Sequence, residues 1–165
     1  MEEKLPKRKP TRLSSYDYAS VGAYFITICT HKKQCLLGHV TPGSPQQDAQ
    51  MHLSTLGKII KTHIIALESH YENVKIDNWI IMPNHIHLLI RIEERINPFP
   101  TASADIPNIV GKFKAGVTRS IKNPKPLWQK SYHDHIIRSE KDYLQIWQYI
   151  EGNVGKWLED CFYCQ

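Results

Sequence analysis

The stretch "NWIIMPNHIHLLI", residues 78–90, constrains this chain more than any other. Its β-branched and aromatic residues read as strand, and Pro83 with Asn84 reads as a tight turn between two runs, "NVKIDNWIIMP" and "HIHLLIRI". A strand alternates faces with a period of two, so His85 and His87 point to one side while Ile86 and Leu88 point to the other. Two imidazoles therefore sit side by side in an apolar strand. Burying both costs free energy unless each finds a partner, and one metal ion shared between them serves both. The alternative is a pair of sheet histidines, each satisfied by its own buried partner.

The remaining elements are strands and helices arranged around this hairpin. "GAYFITICT" (22–30) reads as a central strand, "CLLGHV" as a short return strand, 41–48 as loop and 49–53 as a weak strand. Leu56, Ile59, Ile60, Ile64 and Leu67 recur at helical spacing and predict a helix over 54–70. A second helix, about 107–122, turns Ile109, Val110, Phe113 and Val117 inward and Lys112, Lys114, Arg119 and Lys122 outward. "KSYHDHIIR" is strand-like. Ser139, with Asp142 three residues on, opens a last helix in capping-box fashion, predicted over about 139–160 with Leu144, Trp147, Ile150, Val154 and Trp157 as its apolar stripe. This order predicts an α+β fold of ferredoxin-like (RRM-like) type: an antiparallel sheet with helices packed on one face. The 165 residues suit one domain over 16–160, between a basic N-terminal arm (1–15) and a short tail (161–165).

Charge and cysteine usage narrow the setting. The chain carries +5 at pH 7, with a pI near 9.0, and its arm holds Lys4, Lys7, Arg8, Lys9 and Arg12, a balance that fits a solvated basic tail and contact with nucleic acid equally well. No run of 18 apolar residues is present to span a membrane, and no apolar segment follows the basic arm, so the expected location is the cytoplasm. Cys29, Cys35, Cys161 and Cys164 allow a zinc site that includes the terminal CxxC, but the loose spacing of the first pair favours free thiols in a reducing compartment.

Three chemistries use paired histidines. A histidine-triad hydrolase needs a third alternating histidine, and that position is Leu89. A zinc hydrolase needs a third strong ligand, for which His133 or His135 in "YHDH" is available. A metal-dependent nicking enzyme needs a separate tyrosine. Tyr143 lies seven residues before Ile150 and so belongs to the apolar face. Tyr149 is about 100° away from that stripe and four residues before Asn153, which places a phenol and a carboxamide on one helix face.

With these blocks in view, the chain resembles the single-tyrosine HUH transposases, and among them the REP-associated tyrosine transposases. The resemblance runs from "YDYASVGAYFITICTHKKQCLLG" through "WIIMPNHIHLLI" and "IVGKFKAGVT" to "LWQKSYHDHIIRSEKDYLQIWQYIEGN". It implies that His85 and His87 bind a divalent ion, Mg2+ or Mn2+, that Asn153 completes the metal site, and that Tyr149, on the C-terminal helix, is the nucleophile. It implies a substrate of single-stranded DNA with hairpins, cut through a 5'-phosphotyrosine, in a bacterial cytoplasm at the nucleoid. On the same ground Lys7, Arg8, Lys9, Arg12, Lys112, Lys114, Arg119 and Lys122 become candidate phosphate contacts, and Asp134 and His135 become supports of the site. The protein is then a monomer or a homodimer. The sequence departs from the family's "NPxKW" with "NVGKW"; Val154 in place of proline implies a helix that runs on past Asn153. The other classes that remain are a catalytically inactive hairpin-binding protein and a metal-dependent phosphoesterase.

Overall fold

A computed structural model describes residues 16–95, 104–122 and 125–160. Its strands are β1 (Gly22–Cys29), β2 (Gly38–Thr41), β3 (Gln50–Leu53), β4 (Val74–Met82), β5 (His85–Ile92) and β6 (His133–Ile137), and its helices are α1 (Thr55–Ile65), α2 (Ile106–Ile121) and α3 (Glu140–Gly152). Four strands form an antiparallel sheet in the order β4-β5-β1-β6, and β2 pairs with β3 as a separate hairpin. Without that small hairpin the order is strand, helix, strand, strand, helix, strand: the α+β, ferredoxin-like arrangement expected from the sequence.

Period-two alternation sorts the sheet into two faces. Tyr24, Ile26 and Ile28 of β1 join Ile86, Leu88, Ile90 and Ile92 of β5 in one core with Ile60 and Ile64 of α1 and Ile109, Val110, Phe113 and Val117 of α2. Burial of these side chains is the main term holding α1 and α2 on this face. Gly57 permits close approach, because a Cβ there would fall 2.2 Å from the Leu37 carbonyl oxygen. α3 takes the opposite face, where Phe25 and His87 meet Tyr149.

A bulge in β4 prepares that second face. Ile76 pairs with Ile90 and Asn78 with Leu89, which leaves Asp77 as the extra residue. Its carboxylate accepts from Arg91 Nε and Nη2 (2.9 and 2.8 Å) and from the Tyr143 hydroxyl (3.0 Å). Strand and helix are thereby tied together. Ser139 Oγ accepts from Asp142 N to cap α3, and the Asp142 carboxylate lies 2.8 Å from His135 Nε2 of β6.

Several boundaries differ from the sequence reading. α1 stops at Ile65 and a 3-10 turn (Glu68–His70) follows; only Gly38–Thr41 of the return segment is strand. α3 ends at Gly152 and does not run on to 160. Gly152 and Gly155 are poor helix formers, and turns and a short 3-10 segment (Trp157–Glu159) replace the last helical turns. Leu144 is 52% exposed, so it is outside the apolar stripe, and Tyr143 faces the sheet instead. Cys29 is a buried thiol outside any disulfide, whereas Cys35 is disulfide-bonded, contrary to the expectation of thiols throughout. Cys161 and Cys164, with the arm and the tail, lie outside the described residues.

Candidate active site

The turn between β4 and β5 positions the first histidine. Asn84 is fully buried; its Nδ2 donates to the Lys33 carbonyl (3.1 Å), which leaves its Oδ1 facing His85 Nδ1 at 2.8 Å. An amide oxygen only accepts, so His85 carries its hydrogen on Nδ1 and keeps a bare lone pair on Nε2. Loop residues hold the turn itself: Thr30 N and Oγ1 donate to the Asn84 carbonyl, and Leu37 N donates to that of Pro83.

His87 is oriented from β1. Thr27 is its direct cross-strand partner, and Thr27 Oγ1 lies 2.8 Å from His87 Nδ1. The Phe25 ring stacks on the imidazole at 4.9 Å. The two Nε2 atoms stand 3.0 Å apart. Two bare lone pairs repel at this distance, so a proton or a cation must lie between them. Without a cation, His87 Nε2–H donates to His85 and Nδ1 accepts from the Thr27 hydroxyl. With one, the hydroxyl turns to accept from Nδ1–H, and both Nε2 lone pairs are free for the ion.

Burial sets the charge of the pair. Desolvation lowers His85 to a pKa of about 4, with Asp160 pulling it up and Lys33 pushing it down. His87 is held well below the usual imidazole range, first by burial and then by His85. Both rings are neutral at pH 7, the protonation state that a metal ligand requires.

α3 brings the remaining groups. Tyr149 is 42% exposed, and its hydroxyl lies 3.5 Å from His87 Nε2. Asn153 caps the helix with αR dihedrals (φ −63°, ψ −40°), so it stays one turn beyond Tyr149 even though the helix has ended. It is buried, and its Oδ1 has no hydrogen-bond partner among the described residues. An orphaned buried acceptor is costly unless something occupies it. Tyr149 and Asn153 line an open cleft of about 220 Å³ with Lys156, Glu159 and Asp160.

These donors fit a small divalent ion. Two ligands each about 2.1 Å from an octahedral ion stand about 3.0 Å apart, the spacing of the two Nε2 atoms, and the Asn153 oxygen lacks a partner. The zinc-hydrolase set does not assemble: among the described residues no three of His, Cys, Asp and Glu group as a metal site, and His135 is taken by Asp142. Tyr143 is a poor rival to Tyr149 as nucleophile. Burial and its hydrogen bond to Asp77 raise its pKa and hold it as the phenol.

Of the basic residues singled out, Lys112 and Arg119 line one groove between α1 and α2 with His63, His70 and Tyr71. Lys114 Nζ instead donates to the carbonyls of Gln129 (2.7 Å) and Lys130, and Lys122 closes α2 in a left-handed conformation. Lys7, Arg8, Lys9 and Arg12 lie outside the described residues. Asp134 accepts from Tyr18 and thus serves the fold. Sequence reasoning passed over Thr27, Phe25 and Lys156; Thr27 is the single aliphatic hydroxyl inside "YFITIC", and that was its only signal. No helix among the described residues is long and apolar enough to cross a membrane.

No family model matches the chain. An uncharacterized protein of Haemophilus influenzae is 39% identical to it, over 94% of this chain and 93% of that one. Among solved structures, the structure of a REP-associated tyrosine transposase bound to a REP hairpin superposes with a TM-score of 0.60 at 22% identity, over 86% of this chain and 72% of that one. The shared fold extends to nearly the whole of this chain.

Proposed function

The chain belongs to one family with the Haemophilus influenzae protein, and for it we propose a metal-dependent single-stranded DNA endonuclease and transposase that nicks and rejoins hairpin-bearing DNA. The observation that carries this reading is the placement of the Tyr149 hydroxyl 3.5 Å from Nε2 of His87, one of two buried, neutral imidazoles whose Nε2 atoms converge. The fold it shares with the hairpin-bound transposase supports the choice of DNA as substrate.

His85, His87 and Asn153 hold a divalent ion, Mg2+ or Mn2+, which when bound polarises the scissile phosphate and offsets charge on its nonbridging oxygens. Imidazole suits Mn2+ better than Mg2+, so Mn2+ gives the higher activity at equal concentration. Thr27 and Asn84 engage the Nδ1 atoms and so keep both rings turned with Nε2 toward each other. Lys156, lining the cleft with Tyr149, offers a cation to the phosphate.

The Tyr149 oxygen attacks phosphorus as its proton leaves, a P–O bond forms, and the bond from phosphorus to the 3' oxygen breaks. That oxygen takes up a proton and departs as a free 3'-OH; the 5' phosphate stays on the tyrosine. Reversal with the same or another 3'-OH joins strands without ATP, since one phosphodiester is exchanged for another.

The test uses end-labelled single-stranded hairpins from the DNA flanking the gene, with Mn2+, on a denaturing gel. The wild type forms a covalent adduct that protease shortens, EDTA abolishes it, and Tyr149→Phe forms none while still binding DNA. Nicking by Tyr149→Phe, or nicking that persists in EDTA, contradicts the proposal.

A further inference from the structure

The β2–β3 hairpin stands apart from the main sheet and carries a second pair of histidines. His39 and His52 are direct cross-strand partners, with Gly38 opposite Leu53 on one side and Val40 opposite Met51 on the other. Met51 and Leu53 pack against the core, so by the period of two His39, Thr41, Gln50 and His52 face away from it, and all four are exposed. A slip of one residue in β3 would turn His52 inward and Met51 and Leu53 outward, which fixes the register. Gly38 reinforces it: at φ 153° it takes a backbone that favours glycine, and a Cβ there would collide with the His52 carbonyl oxygen.

The two rings stack with centroids 5.0 Å apart and planes inclined by 20°. Among the described residues neither makes a hydrogen bond or an ion pair. The buried pair gives the scale: His85 and His87 have centroids 4.6 Å apart and Nε2 atoms 3.0 Å apart. Two nitrogens on one tetrahedral ion of zinc size, each at about 2.05 Å, stand about 3.3 Å apart. A tilt of the exposed rings toward each other closes His39 and His52 to that spacing, and no packed neighbour resists it.

The two pairs differ in their company. Beside the buried imidazoles stands the Asn153 amide oxygen, whereas the hairpin pair is flanked on its own face by the neutral side chains of Thr41 and Gln50. Nitrogen donors without a carboxylate disfavour Mg2+ and Ca2+, which take oxygen, and favour late first-row ions. Held across one rung of the ladder, the second imidazole binds as an intramolecular step.

We propose that His39 and His52 form a second metal site, on the hairpin, that takes one Ni2+, Cu2+ or Zn2+ ion with water in its remaining positions. A two-stranded hairpin is marginal in water by itself, so an ion bridging its strands also clamps them. This site stands on the hairpin alone and is independent of the nickase reading.

The test is equilibrium dialysis of the full-length protein against Ni2+ in millimolar Mg2+, with bound metal counted by elemental analysis. Ni2+ is the probe because cysteine thiolates, which favour Zn2+ and Cu+, compete for it less. The wild type binds one more Ni2+ per chain than His39→Gln or His52→Gln, and each substitution weakens that site about a hundredfold. His70→Gln with His133→Gln, which removes two exposed histidines from elsewhere, leaves uptake unchanged. Amide exchange in β2 and β3 slows on addition of Ni2+ in the wild type and in neither hairpin variant. Equal uptake by the wild type and either hairpin variant overturns the proposal, as does a loss below about threefold, the mark of two rings binding separately. Protection confined to β4 and β5 overturns it too, since it places the ion at the buried pair.

Discussion

His87 gives Nδ1 to Thr27 and keeps Nε2 for His85 and the Tyr149 hydroxyl, and that division of labour depends on one hydroxyl in β1. Thr27→Val keeps the shape and removes the partner, so calorimetry should find Mn2+ affinity lowered about 10–100-fold, with Thr27→Ser restoring most of it. Unchanged affinity in the valine variant contradicts the tautomer argument. The buried pair also makes stability depend on pH. Burial lowers the pKa of both rings in the folded state, to about 4 for His85, so between that value and the unfolded value near 6.5 the unfolded chain binds more protons. The stability of the metal-free protein is therefore fully present above about pH 6.5 and is lost as the pH falls toward 4. Urea unfolding at pH 7 and pH 5 in EDTA checks the sign, and His85→Gln flattens the slope.

At the scale of elements, α3 is tied to the sheet by the bulge at Asp77 as well as by its own apolar face. Asp77→Ala removes the acceptor of the Tyr143 hydroxyl and leaves Arg91 with Glu93 alone, a loss of about 1 kcal/mol. Faster amide exchange in α3 and slower cleavage are the expected results; unaltered exchange argues that the helix is held by other contacts. The sequence could not disclose this bulge, because a bulge is a register defect between two strands and β4 read alone is only a run of strand formers. The shared face of His85 and His87 was legible, since period two needs no partner, and so was the turn at Pro83 and Asn84. The end of α3 was misjudged because apolar residues at helical spacing continue to Trp157, while Gly152 and Gly155 break the helix between them. Asn153 kept its place all the same, as its own dihedrals remain helical. The roles of Thr27 and Lys114 became visible only with the partners that folding brings from 60 and 15 residues away.

At the scale of the whole molecule, one chain contains every group that the proposed chemistry needs: Tyr149 approaches the His87 of its own chain. A mixture of Tyr149→Phe and His87→Ala proteins should therefore stay inactive, and recovered nicking would mean that the tyrosine helix serves a second copy. The metal pair and the nucleophile share the α3 face of the sheet, and the basic groove lies on the face covered by α1 and α2. The central claim is that Tyr149 forms the covalent bond to DNA, and the most direct measurement is mass spectrometry of the nucleotide-linked peptide after nuclease and protease digestion of the Mn2+ reaction. The account predicts a 5'-phosphonucleotide on the peptide containing Tyr149, located at that residue by fragmentation. Attachment at Tyr143 or any other residue, or a nicked product with no linked peptide, would contradict it.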